Sequence, residues 1–188
     1  AVAISGNTAL VGAYAYWQPA NLAAGGAFLF DTTTGQLLSE FAASDYQSGD
    51  YFGKAVAFSG DLAIVGAPAG NWSPGEAYLF DLSNPSFPLE IAKILPSNNA
   101  PDGAQFGRAV AISGNIAVVG SPNENENGSD TGSAYIFNAA TGQLMHKLLA
   151  SVHDSYSHFG WSVATDGDLV LVGAKFATLN NASLAGAA

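Results

Sequence analysis

The sequence predicts an all-β fold and, within that class, a β-propeller of four-stranded antiparallel blades. Three observations carry the prediction. A segment reading Phe-Gly, alternating strand, tight turn, apolar strand, then Gly-Ala or Gly-Ser and, in two copies, Pro recurs at Phe52 to Pro68 (FGKAVAFSGDLAIVGAP), Phe106 to Pro122 (FGRAVAISGNIAVVGSP) and Phe159 to Lys175 (FGWSVATDGDLVLVGAK), and its second half opens the chain at Ala1 to Tyr14. The three phenylalanines stand 54 and 53 residues apart, a fixed period of the kind that marks a repeat architecture. The 22 glycines and 8 prolines punctuate many short strands, with no long helical periodicity between them.

The elements follow in order. Residues 1–5 alternate small and large apolar groups, a period of two that suits a half-buried strand. Gly6-Asn7 is a two-residue hairpin turn, and Thr8 to Gly12 returns as strand two. A long loop over 13–25 leads to strand three at Gly26 to Asp31, a turn at Thr34-Gly35, strand four over 36–42, and a loop over 43–51. Repeat two places strands near 53–59, 61–66, 76–81 and 88–94, with Pro85 and Pro88 breaking the outer turn as an edge position allows. Repeat three places them near 107–113, 115–120, 133–138 and 143–149. Repeat four supplies two strands from Phe159 to Gly173 and then a long loop, ending where the sister repeats begin strand three.

The expected division is thus a partial propeller over 1–188, with repeats 1–51, 52–105 and 106–158 and an incomplete 159–188. One four-stranded sheet is too small to stand alone, and radial stacking of such sheets as blades is the remedy. The small residues of strand one suit a crowded axis, and the bulkier Phe, Tyr, Leu and Ile of strands three and four suit the periphery. About three and a half blades leave two apolar blade faces open, so further blades are expected from a longer chain or from another copy.

Composition narrows the function classes. Net charge is −10, and the five bases Lys54, Lys93, Arg108, Lys147 and Lys175 are scattered along the chain. No basic stripe results, which disfavours nucleic acid and anionic membrane surfaces as partners and favours a cation or a neutral ligand. Charged residues make up 11%, against about 25% in an average domain. The absence of cysteine removes disulfides and thiolate metal sites, and no apolar run reaches the roughly 18 residues of a membrane-spanning helix.

With Phe52-Gly53, Gly66-Ala67-Pro68, Phe106-Gly107, Gly120-Ser121-Pro122 and Phe159-Gly160 in phase, the chain resembles the FG-GAP repeat family over nearly its whole length. The integrin α-subunit propeller is that family's best-known member. In style the chain is closest to tandem repeats of large microbial secreted or surface proteins. The resemblance implies a seven-bladed ring, an extracellular or cell-surface setting, and adhesion or ligand binding rather than catalysis. Calcium-binding members of that family carry an Asp-rich loop, D-x-D-x-D-G, between the Phe-Gly and the Gly-Ala-Pro. That slot here reads Ser59-Gly60-Asp61, Ser113-Gly114-Asn115 and Thr165-Asp166-Gly167-Asp168, so the family's calcium site carries over to no position.

The candidate site residues each have a structural and a functional reading. Asn123, Asn125 and Asn127, followed by Gly128 and Asp130, space their oxygens like the first half of a calcium loop, or form a solvated polar loop. Asp45, Asp50, Asp102 and Asp154 precede each Phe-Gly, where they cap turns or gather cations. His153 and His158 flank Asp154 as a possible metal grouping without a further ligand. Tyr14, Tyr16, Trp17 and Trp72 lie in loops between strands two and three, where aromatics stack on sugars, anchor a protein, or cover a sheet edge. Asn71, Asn127 and Asn181 are glycosylation acceptors if the source is eukaryotic. No nucleophile turn, recurrent carboxylate pair or phosphate loop is present, so a non-enzymatic module is expected.

Connectivity picks a working face. Loops 1–2 and 3–4 of an up-and-down blade are tight turns on one face. Loops 2–3 and 4–1 are long and varied on the other: 13–25, 43–51, 67–75, 96–105, 121–132, 150–158 and 174–188. Long, varied loops on a rigid scaffold are where function is usually placed. The expectation is adhesion, protein binding or assembly through that face. A lectin and the non-catalytic propeller of a larger secreted enzyme are the alternatives.

Overall fold

The computed structural model describes residues 1–17, 23–70, 73–97, 100–126, 128–151, 155–178 and 186–188. Its strands are β1 (Val2–Ser5), β2 (Thr8–Ala13), β3 (Gly26–Asp31), β4 (Leu37–Phe41), β5 (Ala55–Ser59), β6 (Leu62–Ala67), β7 (Glu76–Asp81), β8 (Leu89–Ile94), β9 (Ala109–Ser113), β10 (Ile116–Ser121), β11 (Ser133–Asn138), β12 (Leu144–Leu148), β13 (Phe159–Thr165) and β14 (Val170–Ala174). They form antiparallel sheets β1-β2-β3-β4, β5-β6-β7-β8 and β9-β10-β11-β12, plus the pair β13-β14. The innermost strands β1, β5, β9 and β13 touch one another in succession, the arrangement of propeller blades. An isolated antiparallel bridge joins Ala187 to Ala174, at the place where Glu76 pairs with Ala67 in blade two. No helix is long and apolar enough to cross a membrane.

Blades two and three are buried on both faces, and their second strands β6 and β10 are buried almost throughout, whereas β2 and β14 of the flanking blades alternate. In β6, Ala63, Val65 and Ala67 point into the layer shared with blade one, beside Leu10, Leu29 and Phe52. Ile64, between them, points into the layer shared with blade three, beside Phe106, Val119 and Tyr135. The strand-three aromatics Tyr78 and Phe80 lie on the first side, and Leu79 on the second. Phe52 is fully buried, edge-on to Tyr78 at 5.6 Å and to Phe80 at 6.0 Å; Phe106 repeats this against Tyr135 at 5.3 Å and Phe137 at 6.1 Å. A bulge recurs at one position of every complete strand-three pairing, at Leu29/Phe30, Leu79/Phe80 and Ile136/Phe137.

The innermost strands of blades two and three start later than the sequence pattern suggests, at Ala55 and Ala109 rather than 53 and 107. The reason is the Phe-Gly itself. Lys54, Arg108 and Trp161 donate their N–H groups to the carbonyls of Tyr51, Gln105 and His158 at 3.0, 3.0 and 3.1 Å. Phe-Gly is therefore the centre of a four-residue turn. Gly53, Gly107 and Gly160 have φ of 86, 87 and 92°, the left-handed value that the third residue of a type II turn requires. The phenylalanine N–H groups meanwhile bond the preceding blade, at Ala24 O (2.9 Å), Pro74 O (2.8 Å) and Thr131 O (2.9 Å). Phe-Gly is thus the joint between blades.

The joint admits no side chain. A Cβ on Gly12, Gly66 or Gly120 would lie 2.1, 2.0 and 2.0 Å from the carbonyl oxygens of Gly53, Gly107 and Gly160 in the next blade. The two halves of the motif, Phe-Gly and Gly-Ala-Pro, recur together because they meet backbone to backbone across neighbouring blades.

Candidate functional site at the mouth of the axis

Where the innermost strands begin, the long-loop face holds a cavity of about 600 Å³. Its lining includes Tyr51 and Lys54, Gln105 and Arg108, and His158 and Trp161, the first and fourth residues of the three Phe-Gly turns. The first residue of each turn is held by the residue before it, since the N–H groups of Ala69, Asn123 and Phe176 bond the carbonyls of Asp50, Ala104 and Ser157 at 2.9, 3.1 and 3.1 Å. Tyr14, Pro68, Ala69, Asn123 and Phe176 complete the wall. The seven long-loop segments together supply all of the lining except Lys54, Arg108 and Trp161.

The bases scattered along the sequence are not scattered in space. Lys54 Nζ sits 3.9 Å from the centre of the Tyr14 ring; Arg108 and Lys175 lie over Trp161 at 4.6 and 4.0 Å, and Lys175 is also 4.6 Å from Phe176. The repeat period returns Lys54 and Arg108 to the same mouth, and Lys175 reaches its edge over Trp161, so the mouth gathers three bases that the sequence holds far apart. Among the described residues none of these three cations has a carboxylate partner, and no carboxylate lines the cavity.

The other two bases lie in clusters that clip the preceding loop onto a blade. Lys93 Nζ bonds Asp45 and Glu76, both at 2.7 Å, and the Tyr78 hydroxyl donates to Asp45 at 2.9 Å. Lys147 Nζ bonds Glu124 at 2.7 Å, together with Glu126, and the Tyr135 hydroxyl donates to Glu124 at 2.7 Å. Burial, then the neighbouring carboxylates, push the Tyr78 phenol far up, so it stays a proton donor. Burial opposes the Lys147 charge, but its bonds to Glu124 and Glu126 outweigh this and hold its pKa above the ordinary lysine value. The hydrogen bond from Lys93, ahead of that from Tyr78, holds Asp45 below the usual carboxylate range.

The residues singled out in the sequence fall as follows. Tyr14 lies under Lys54, Tyr16 stands edge-on to Phe28 at 5.1 Å, and Trp17 is 64% exposed. Asn123 Oδ1 is 3.0 Å from His158 Nδ1, and Asn125 Oδ1 accepts the Asp130 N–H at 2.7 Å, so both oxygens are engaged within the fold. Asp50 caps its loop through the Gln47 N–H, whereas Asp45 belongs to the Lys93 cluster. Asn71, Trp72, Asn127, His153, Asp154 and Asn181 lie outside the described residues.

In the slot of the calcium loop, Gly60-Asp61 and Gly114-Asn115 close two-residue turns, and Asp166 accepts the N–H groups of Asp168 and Leu169 at 3.1 and 2.9 Å to cap its own turn. Those carboxylates do not converge, so calcium does not fit the slot. Among the described residues no three His, Asp or Glu side chains are grouped to hold a metal.

Sequence reading missed Lys54, Arg108, Lys175, Tyr51 and Trp161. The available signal was positional: each stands one place outside a Phe-Gly, or one place past a Gly-Ala.

Comparison with protein-family models finds the FG-GAP repeat over residues 37–80, 89–137 and 143–188. The first two units start on the outer strand of one blade, at β4 and β8, and end on the third strand of the next, at β7 and β11, so the joint lies inside the unit. No curated protein matches the chain. Repeats of this kind typically occur in extracellular proteins, and their propellers generally mediate protein interactions. Joint geometry and repeat matches fall on the same segments, and the chain belongs to the FG-GAP repeat family.

Proposed function

We propose that this chain is a non-enzymatic binding module of an extracellular or surface protein, engaging a protein partner through the long-loop face for adhesion or assembly. One observation carries the reading. Six described non-glycine residues have positive φ, and four of them, Tyr51, Ala69, Gln105 and His158, line the axial cavity. A left-handed backbone costs a non-glycine residue about 1–2 kcal/mol. The chain uses glycine at the other left-handed positions of the joint but keeps Tyr51, Gln105 and His158 at the first position of each turn. Strain kept where glycine would relieve it points to side chains retained for what they contact.

The test is site-specific photo-crosslinking. A photoreactive residue at Trp17 or Tyr156 on the loop face, or at Asp61 or Asn115 on the tight-turn face, is presented to intact cells and matrix. The reading expects protein adducts from the first pair alone; equal adducts from both faces, or none from the loop face, refute it. Exposed Trp17 favours glycan binding as a second reading, which expects a glycan-array signal lost in Trp17→Ala.

A further inference from the structure

We propose that the mouth of the axis is an acceptor for carboxylate side chains, and that its ligand is a short acidic segment of a partner protein, inserted between Lys54, Arg108 and Lys175. The inference rests on the loop-face reading above and adds the chemistry of the ligand.

A chain of net charge −10 has five bases. Two are neutralised in carboxylate clusters on the flanks of the blades. Of the other three, Lys54 and Arg108 line one cavity and Lys175 lies over Trp161 and Phe176 in its wall, and among the described residues none has a carboxylate to balance it. Nothing in the fold needs them charged there, since the joint is built from backbone hydrogen bonds and buried phenylalanines.

The aromatic rings fix the type of ligand. Lys54 lies over Tyr14, and Arg108 and Lys175 over Trp161. Cations held against ring faces are partly stripped of water and pre-positioned, which favours an incoming carboxylate and lets the Arg108 fork bind it bidentately. The ring faces that would stack on a pyranose are occupied by those cations, which argues against a sugar acid.

Net charge sets the ligand's length. Outside the mouth the surface is acidic, and its field is screened only beyond about 8–10 Å. A long polyanion is repelled along most of its length, whereas one or two carboxylates on a neutral segment meet only the cationic mouth. The ligand is accordingly a short acidic motif, and not a nucleic acid or an anionic polysaccharide.

The experiment is a binding isotherm of the full chain by fluorescence anisotropy. The probe is a labelled neutral decapeptide with one central Asp-Glu pair; its Asn-Gln counterpart and a polygalacturonate oligomer are the comparison ligands. The expected result is saturable binding of the Asp-Glu peptide alone. That binding is weakened at least tenfold in Lys54→Gln/Arg108→Gln/Lys175→Gln and retained within about threefold in Lys54→Arg/Lys175→Arg, with circular dichroism confirming that each variant is folded. If the triple variant does not fold, the single Arg108→Gln variant and a rise in salt from low to high carry the same expectation of weaker binding. Equal binding of the Asn-Gln peptide, absence of binding, or a folded triple variant that binds normally overturns the proposal, as does preference for the uronate. Loop-face adducts that persist in the triple variant would keep the face and remove the anion site, whereas loss of all loop-face adducts from the parent would remove the face itself.

Discussion

Replacing Gly66 by alanine isolates the blade joint from every other feature of the fold. Gly66 has no left-handed φ, so an alanine suits its backbone; the obstacle is purely the next blade. The added Cβ would lie 2.0 Å from the Gly107 carbonyl oxygen, against 3.4 Å or more in ordinary contact, so the Phe106-Gly107 turn must retreat by about 1.4 Å. That retreat strains the bonds that pin the turn, from Gly107 N–H to Gly120 O (3.1 Å) and from Phe106 N–H to Pro74 O (2.8 Å). Overpacking against adaptable side chains costs about 1–3 kcal/mol, and each strained backbone bond adds about 1 kcal/mol, giving roughly 3–5 kcal/mol. At about 2–4 °C per kcal/mol for a chain of this size, the melting temperature falls by roughly 6–20 °C. The assay is a thermal melt followed by circular dichroism, with Gly60→Ala alongside. Gly60 has open space but a φ of +60°, so its alanine costs only about 1–2 kcal/mol. A Gly66→Ala protein that melts within about 3 °C of the parent, or that loses less than Gly60→Ala, refutes the account of the joint.

Three further predictions test the clusters and loops. Lys147→Met leaves Glu124, 1% exposed, without its counter-charge and should cost about 3–5 kcal/mol in urea denaturation, with much of it regained in Lys147→Met/Glu124→Gln. Because the folded Lys147 pKa is raised, its contribution is complete below the ordinary value of 10.5 and is lost as pH rises through the folded value, so parent and Lys147→Met should converge in strong alkali. Burial raises the Asp50 pKa, so ionising it weakens the fold as pH rises above the ordinary 3.8; Asp50→Asn should raise the melting temperature at pH 7 and change nothing below pH 3.8. Trp17→Ala removes a mostly exposed ring and should shift stability by no more than about 0.5 kcal/mol, so any loss of binding in that variant reports on the surface.

The fold was legible because its signals are local and repeated. Gly6-Asn7, Gly60-Asp61 and Gly114-Asn115 announce hairpins, and the predicted outer strands agree with the structure to within a residue or so. The ends of the inner strands were not legible, because Phe-Gly looks like the start of a strand and is a turn whose phenylalanine N–H bonds another blade. The Lys147 cluster was invisible for a related reason. Blade two draws its carboxylate from Glu76 on β7, but blade three draws it from Glu124 in a loop, so equivalent chemistry comes from non-equivalent positions. The cationic mouth was missed because a scan along the chain measures separation in residues, and Lys54, Arg108 and Lys175 are far apart by that measure.

The turn explains how one repeat supports both a fixed scaffold and a variable site. Its two central residues are committed: the phenylalanine to the layer between blades, the glycine to a left-handed backbone that lies within van der Waals distance of the neighbouring chain. Its first and fourth residues contribute only backbone to the joint, so their side chains are free to differ. They do differ, as Tyr51 and Lys54, Gln105 and Arg108, His158 and Trp161, while the hydrogen bond between their backbones stays at 3.0 to 3.1 Å. The first position carries one further restriction. At a φ of 53 to 60° a β-branched side chain would clash, and none of the three is β-branched. Chemistry at the mouth of the axis can therefore change from blade to blade without loosening the joints, which is the property a recognition surface on a repeat scaffold needs.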